Sequence, residues 1–562
     1  MDPHLDPETT GDRGPVRPPR LTRRRFLRGS VILGAVALAA LRGEAVLSRD
    51  HDGWPDVAAL DPTTNPRLAS ATGAQGTPVG SAQPPSALGQ NGPGAATRSS
   101  ASPAPIAGQG FGGPAASPGG TRQPNVLLVT IDTLRADRIG PYGFATARTP
   151  VLDQLAREGV RFDHAICQLP QTDPSHAALM TGLYASTNGV KIHMVDKLRS
   201  GTQTFASLFL TAGYQTAGIY SWVSLDPQFC GLNQGFQTYE GYVINRGAIF
   251  SNPVLEQIAA TYRQVKATVP IVKTADAVLG ASSDYEETLD GRADVTNHAV
   301  FQWLDAHAAA GPFFLWVHYF DPHYPYAPPA GYDHLLGLDY HGSIDGTVDT
   351  IHKIQSGQLT PNAADLARLE ELYQGEIAFT DAQLGQLLDR LTTLGVADDT
   401  IVTVAGDHGE SFGEHGDWTH GLKVFETEIR VPLLMRYPRR LPAGARVSAP
   451  AQLIDVLPTL VELAGLDLKQ PVQGSPLMPL LGGADDGSDR AAFTELADEA
   501  FVSVLSMGDW KLIRNDANGQ LQLYNLNVDE AEQQDLTKGN PRTTSELSAR
   551  LQDLMKISGV SK

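Results

Sequence analysis

Cysteine is scarce in this chain. Cys167 and Cys230 are the only two among 562 residues. Neither sits in a CxxC or another metal-binding spacing, which excludes a cysteine-built metal centre and a disulfide scaffold. Two buried free thiols and one disulfide both stay open. Positive charge is also in deficit: 43 Lys and Arg stand against 62 Asp and Glu, a formal net charge of -19. No basic face is available for a phosphate backbone, so nucleic acid is excluded as a partner. Long apolar runs are missing too. The longest, Val31–Leu41, is shorter than the roughly 20 residues that cross a bilayer. No span is therefore expected in the catalytic body.

What is present divides into four parts. Thr22-Arg23-Arg24-Arg25-Phe26-Leu27-Arg28 stands before that short apolar run. A positive flank and a short apolar stretch predict an export signal or N-terminal anchor over residues 1–45, and the paired arginines resemble a twin-arginine signal. Residues 46–122 are rich in Gly, Pro, Ala and Ser, too poor in large apolar side chains to offset chain entropy, and are expected to be a disordered linker. The localisation implied is extracytoplasmic. Residues 123–482 are expected to form a catalytic domain and residues 483–562 a C-terminal subdomain.

The folded part starts with Asn125-Val126-Leu127-Leu128-Val129-Thr130-Ile131, a continuous apolar run of the kind buried on both faces of a parallel sheet. Strand-like runs recur at Thr216–Tyr220, Phe313–His318, Thr400–Ala405 and Pro432–Arg436. Helical patterns over Thr149–Gly159, Ala293–Ala309, Ala364–Leu394 and Ile454–Ala464 fall between them. This alternation predicts an α/β layered domain with a mainly parallel sheet. After about Gly483, Phe501–Leu505, Trp510–Arg514 and Gln520–Leu526 read as short antiparallel strands, and Thr544–Ile557 as a closing helix.

Three stretches carry the chemistry. Asp132 ends the first strand, where ligands of parallel sheets collect. Thr172-Asp173-Pro174-Ser175-His176 opens a helix, and Gly406-Asp407-His408-Gly409-Glu410 follows a strand. Together they supply a hydroxyl, two carboxylates and an imidazole. That donor set suits one divalent metal, held by Asp132, Thr172, Asp407 and His408, with Thr172 as an activated nucleophile. An imidazole favours zinc or manganese, while calcium stays possible. Thr172 has a plainer reading as a helix cap.

These motifs, with Ala177-Ala178-Leu179-Met180-Thr181-Gly182 and the run Asp407–Gly416, resemble the sulfatase branch of the alkaline phosphatase superfamily. The resemblance covers roughly Pro124–Leu536. It implies an alkaline-phosphatase-like three-layer domain with a small C-terminal α+β subdomain, and catalysis on sulfate or phosphate esters. It also implies that His323 and His420 face the substrate, one of them protonating the leaving oxygen, and that His176 and His318 contact substrate. Asp321 serves there or only shapes its turn. Departures matter as much. Thr172 stands where sulfatases carry a modifiable Cys or Ser, His176 replaces the signature Arg, and Asp132-Thr133 replaces two adjacent Asp. Ser221-Trp222-Val223-Ser224 lacks the Lys and His that hold a sulfate. Thr cannot become an aldehyde hydrate, so the reading leans to phosphate diesters or monoesters through a phospho-threonine. A sulfuric ester hydrolase, a phosphoethanolamine- or glycerophosphate-type transferase and an inactive module binding an anionic glycan are the alternatives. The substrate is a small-molecule, glycan or lipid ester; the sequence says nothing of oligomeric state.

Overall fold

The computed structural model describes residues 123–242, 291–483, 486–496 and 502–560. The export signal and linker expected before residue 123 lie outside these residues. The central sheet is built from β1 (Asn125–Ile131), β2 (Val160–Ile166), β3 (Gln215–Tyr220), β4 (Thr238–Gly241), β5 (Phe313–Tyr319) and β6 (Thr400–Gly406). A two-stranded ribbon of β7 (Ser411–Phe412) and β8 (Trp418–Thr419) follows, and β9 (Arg430–Arg436), β10 (Ala445–Val447) and β11 (Ala451–Gln452) complete the sheet. The order is β10-β2-β9-β6-β1-β5-β3-β4, with β11 on β2. All its pairings are parallel except those of β9, which runs against both β2 and β6.

β1 is central because every residue in it is buried. Burying Val126, Leu127, Leu128, Val129 and Ile131 contributes roughly 2 kcal/mol each. Their alternation also separates two cores, as a side-chain period of two requires. Val126 and Leu128 join Phe314 and Trp316 of β5 on one face. Leu127, Val129 and Ile131 join Leu315 and Val317 on the other.

Helices cover both faces, which makes three layers. In chain order they include α1 (Pro150–Glu158), α2 (Thr172–Thr181), α3 (Phe205–Thr211), α4 (Ala293–His307), α5 (Ala363–Thr393), the short α6 (Glu426–Ile429) and α7 (Val456–Leu463). α3 and α7 supply Phe205, Phe209, Leu457 and Leu460 to the first core. α1, α4 and α5 supply Leu152, Leu155, Val300, Leu304, Leu384 and Leu387 to the second. No helix among the described residues is long and apolar enough to cross a membrane.

Beyond this body, β12 (Ala492–Leu496), β13 (Val502–Met507), β14 (Trp510–Asn515) and β15 (Leu521–Asn525) form an antiparallel sheet in sequential order. α8 (Pro541–Ile557) buries Leu547, Leu551, Leu554 and Met555 against Phe493, Leu505, Leu512 and Leu523 of that sheet. The same cluster includes Ala178 of α2 and Ile454, so the small sheet is seated on the body. β12 is an addition to the expected strands, as are β2, β4, β7, β8, β10 and β11 in the body. Cys167 and Cys230 are both buried and free, so the disulfide alternative is not formed.

Candidate active site

Register gathers the site. Ile131 pairs with Gly406 and Thr130 with His318, so the ends of β6, β1 and β5 coincide at one sheet edge. Asp132 and Asp407 leave that edge side by side, both fully buried. Between them Thr133 takes φ of 51°, a costly value for a β-branched residue. The turn brings the Thr133 N–H to Asp407 Oδ1 at 3.1 Å. Tyr373 of α5 holds it, donating to the Thr133 carbonyl at 2.7 Å and accepting from the Arg135 N–H at 3.1 Å. Asp407 Oδ1 also accepts the His408 N–H at 2.8 Å, which leaves Oδ2 facing inward.

His408 donates from Nδ1 to the Gly409 carbonyl at 3.0 Å. Its other nitrogen, Nε2, then presents a lone pair. It lies 3.4 Å from Asp132 Oδ1, 3.6 Å from Asp407 Oδ2 and 3.4 Å from Thr172 Oγ1. These separations are long for hydrogen bonds. They match ligands around one cation, since metal–ligand bonds near 2.1 Å give tetrahedral edges of roughly 3.4 Å. Asp132, Asp407 and His408 each bring a ligand atom within 4.8 Å of the others. Both Asp132 oxygens and Asp407 Oδ2 are buried without a hydrogen-bond partner. Burial followed by the Asp132 charge pushes Asp407 well above the carboxylate range. Asp132 is held low against its own burial by His318, His323 and His408. Two such carboxylates cannot both ionise in a buried site without a cation between them. The residues present therefore fit a divalent metal.

Thr172 is the first residue of α2 and is buried. The N-cap position belongs to Gln171, which makes no side-chain cap bond. The plainer reading of Thr172 as a cap is therefore not what the backbone shows. Ser175 donates to the Asp407 carbonyl at 2.7 Å, tying the helix start to the metal loop.

His176 sits behind Thr172, one turn on. A single donor–acceptor order satisfies its surroundings. Trp316 Nε1 donates to Thr130 Oγ1 at 3.0 Å, the Thr130 hydroxyl donates to His176 Nε2 at 2.9 Å, and Nδ1 donates to the Thr172 carbonyl at 2.7 Å. Burial lowers the pKa of His176 to about 3, so it is neutral. Both nitrogens are spent on the protein, which corrects the expectation that His176 contacts substrate. A second grouping, His176 with His318 and Asp407, has metal-ligand spacing as well. His176 offers it no free lone pair. His318 differs from its neighbour: neither ring nitrogen has a hydrogen-bond partner, and Nε2 is 3.5 Å from Asp132 Oδ2. Asp321 accepts the Ala293 N–H at 2.8 Å at the start of α4, the turn-shaping alternative.

His323 and His420 stand together near His408, with ring centroids 4.9 Å apart and His420 4.4 Å from His408. Their environments push them in opposite directions. Burial lowers His323 to about 3, and its Nδ1 donates to the Tyr324 carbonyl. Burial would lower His420 too, but the Glu410 carboxylate, 3.0 Å from its Nδ1, raises it to about 9. A proton-holding imidazole beside a neutral one is the arrangement that separates an acid from an acceptor. Trp222 stacks on Phe320 with centroids 4.5 Å apart and lies 5.4 Å from His323, giving this side an aromatic wall.

Sequence reasoning assigned no role to Glu410, although it lies two residues past His408; only folding shows its pairing with His420. His193 was overlooked as well. It pairs with Asp173, the residue after Thr172, and its charge bears on His323. No spacing in the chain advertises either pair.

Comparison with known proteins places this geometry. The Sulfatase family profile matches residues 124–466, more than half of the chain, and the profile "N-sulphoglucosamine sulphohydrolase, C-terminal" matches residues 413–557. An arylsulfatase of Clostridium perfringens is 27% identical over 381 residues, covering 64% of this chain and 78% of its own length. Human steryl-sulfatase is 27% identical over 426 residues, with coverages of 66% and 71%. Among solved structures, the phosphonate monoester hydrolase of Agrobacterium radiobacter shares the fold with a TM-score of 0.59 at 23% identity, covering 77% of this chain and 96% of that one. On these grounds the chain belongs to the sulfatase family of the alkaline phosphatase superfamily and is a hydrolase acting on ester bonds.

Proposed function

We propose that this protein is a metal-dependent, exported hydrolase of phosphate diesters or monoesters that uses unmodified Thr172 as its nucleophile. The observation carrying the reading is the position of the Thr172 hydroxyl, 3.4 Å from the free nitrogen of His408 and outside the cap position of α2. Asp132, Asp407, His408 and Thr172 would hold the cation. When bound, it supplies positive charge that lowers the hydroxyl pKa and offsets charge developing on the ester oxygens.

The Thr172 hydroxyl gives up its proton to solvent, its oxygen forms the new bond to phosphorus, and the bond to the leaving alcohol breaks. His420, kept protonated by Glu410, gives its proton to the leaving oxygen. His420 then takes a proton from the water whose oxygen cleaves the phospho-threonine, which restores the imidazolium, and the released Thr172 oxygen regains its proton from solvent. Neutral His323, with its outward nitrogen free, orients the leaving group. The lean to phosphate rests on Thr172, which cannot form the aldehyde hydrate, and on Ser221-Trp222-Val223-Ser224, which lacks sulfate-holding cations. Export rests on the Arg23-Arg24 motif.

Sulfate-ester hydrolysis is the second reading, favoured by the sulfatases among the relatives. A panel of nitrophenyl sulfate, phosphate, phosphodiester and phosphonate esters, assayed with manganese, zinc or calcium, separates the two. Rapid quenching with a slow phosphodiester should trap added phosphoryl mass on the Thr172 peptide. A normal burst with no mass on that peptide would remove the covalent step.

A further inference from the structure

The loops carrying His408, Glu410 and His420 share one support. The Thr427 carbonyl of α6 accepts the Glu410 N–H at 3.0 Å and the Glu428 carbonyl accepts the Gly409 N–H at 2.8 Å. The packing is tight enough that a Cβ on Gly409 would stand 2.0 Å from the Thr427 oxygen. The buried Glu428 side chain turns the other way. Its Oε2 accepts the N–H groups of Gly421 at 2.9 Å and Lys423 at 3.3 Å, and Oε1 accepts the Ser411 hydroxyl at 3.2 Å. One four-residue helical turn thus ties the metal loop to the loop holding His420.

What holds that turn comes from the small C-terminal sheet. Lys511 of β14 is fully buried and its ammonium meets Glu426, the first residue of α6, at 2.9 Å and Glu532 at 2.8 Å. Glu532 in turn accepts the Glu426 N–H at 2.6 Å. A cleft of about 320 Å³ lined by Glu426, Thr427 and Glu532 lies alongside. Without the ammonium, two buried carboxylates would face each other with water at hand.

We propose that Lys511 is a positioning residue for the reaction: through Glu426 and α6 it fixes the loops that carry His408 and His420, which makes the C-terminal sheet a working part of the active site. The inference rests on the site assigned under the proposed function, so its test reads cation binding and turnover separately.

Metal-stripped wild type, Lys511→Met, Lys511→Arg and the triple variant Lys511→Met/Glu426→Gln/Glu532→Gln are titrated with manganese by calorimetry and then assayed on the best ester. At a temperature where each is folded by circular dichroism, Lys511→Met is expected to bind manganese about tenfold more weakly. Its kcat should fall about tenfold with KM within about twofold. The triple variant replaces the charges with neutral groups of similar shape and should regain affinity and kcat to within about threefold of wild type. Lys511→Met that only melts earlier, with binding and kcat unchanged below its melting point, would make Lys511 a prop for the fold and overturn the proposal. A triple variant no better than the single one would also overturn it. Should Lys511→Met fail to fold, Lys511→Arg carries the comparison, with a loss of about threefold in manganese affinity expected and no loss contradicting the idea. If wild type turns over none of the phosphate esters, the phosphate-ester reading falls while the manganese titrations still decide this one.

Discussion

The two sides of Thr172 each bury polar side chains, a histidine among them, and treat them in opposite ways. Behind it, Trp316, Thr130 and His176 form a chain in which each donor has an acceptor. In front, the Asp132 carboxylate, Asp407 Oδ2 and the His318 ring are equally buried and their side-chain atoms have no hydrogen-bond partners. Burying a polar group alone costs about 1–3 kcal/mol. A fold that satisfies one histidine completely and leaves another bare a ring's width away has reserved the bare side for something it does not itself contain. The comparison teaches which histidine is frame and which is free for ligand, a distinction that residue identity cannot make.

Substitutions on the two sides should break in different ways. The largest effect is expected at the boundary. Thr172→Ala should cut turnover by about a thousandfold or more, while Thr172→Ser keeps about a tenth of the rate. Near-normal turnover by Thr172→Ala would mean direct attack by water and would end the covalent reading. Next, on the open side, Asp407→Asn and His408→Ala should each lower bound metal and kcat together, by roughly a hundredfold in rate. Mass-spectrometric metal analysis checks this, and full occupancy at full rate would remove that residue from the ligand set.

Glu410→Gln should act through pH. His420 donates only when protonated, and with Glu410 it holds its proton up to about pH 9. The wild-type rate should therefore persist below that value and fall as pH rises through it. In the variant the falling limb should move down toward the ordinary imidazole value of 6.5. A limb that stays in place would assign the proton to another group. The smallest effect on rate belongs to the closed side. His176→Ala orphans the Thr130 hydroxyl and the Thr172 carbonyl, so it should cost about 2–4 kcal/mol of stability by denaturant melts. It should change metal content little and kcat by under about tenfold. A metal loss as large as that of His408→Ala would move His176 to the open side.

Much of the frame was legible in the chain. The unbroken apolar run of β1 announced a strand buried on both faces, and α5 was visible almost to its ends from its periodicity. Strand direction was not. Pro432–Arg436 reads as another apolar strand, and nothing local states that β9 enters the sheet reversed, since direction follows from where the connecting chain emerges. The gathering of Asp132, Thr172, Asp407 and His408 could be anticipated because each closes or opens an element at the same sheet edge. The place of His176 could not. Its fate is decided by Thr130, 46 residues earlier, and by Trp316 on a neighbouring strand. Glu410 and His420 are likewise paired only by the turn of the β7–β8 ribbon.

The proposed ligands also say something about time. Asp132 and Thr172 lie in the first third of the chain, and Asp407 and His408 lie more than 230 residues later. The Thr133 N–H that fixes Asp407 spans 274 positions. No early fragment owns a complete ligand set, and no late one does either. The cation can therefore be captured only after distant segments have met and the sheet has closed. Metal content then serves as a record that a molecule finished folding, and the N-terminal half made alone should emerge from a manganese solution empty.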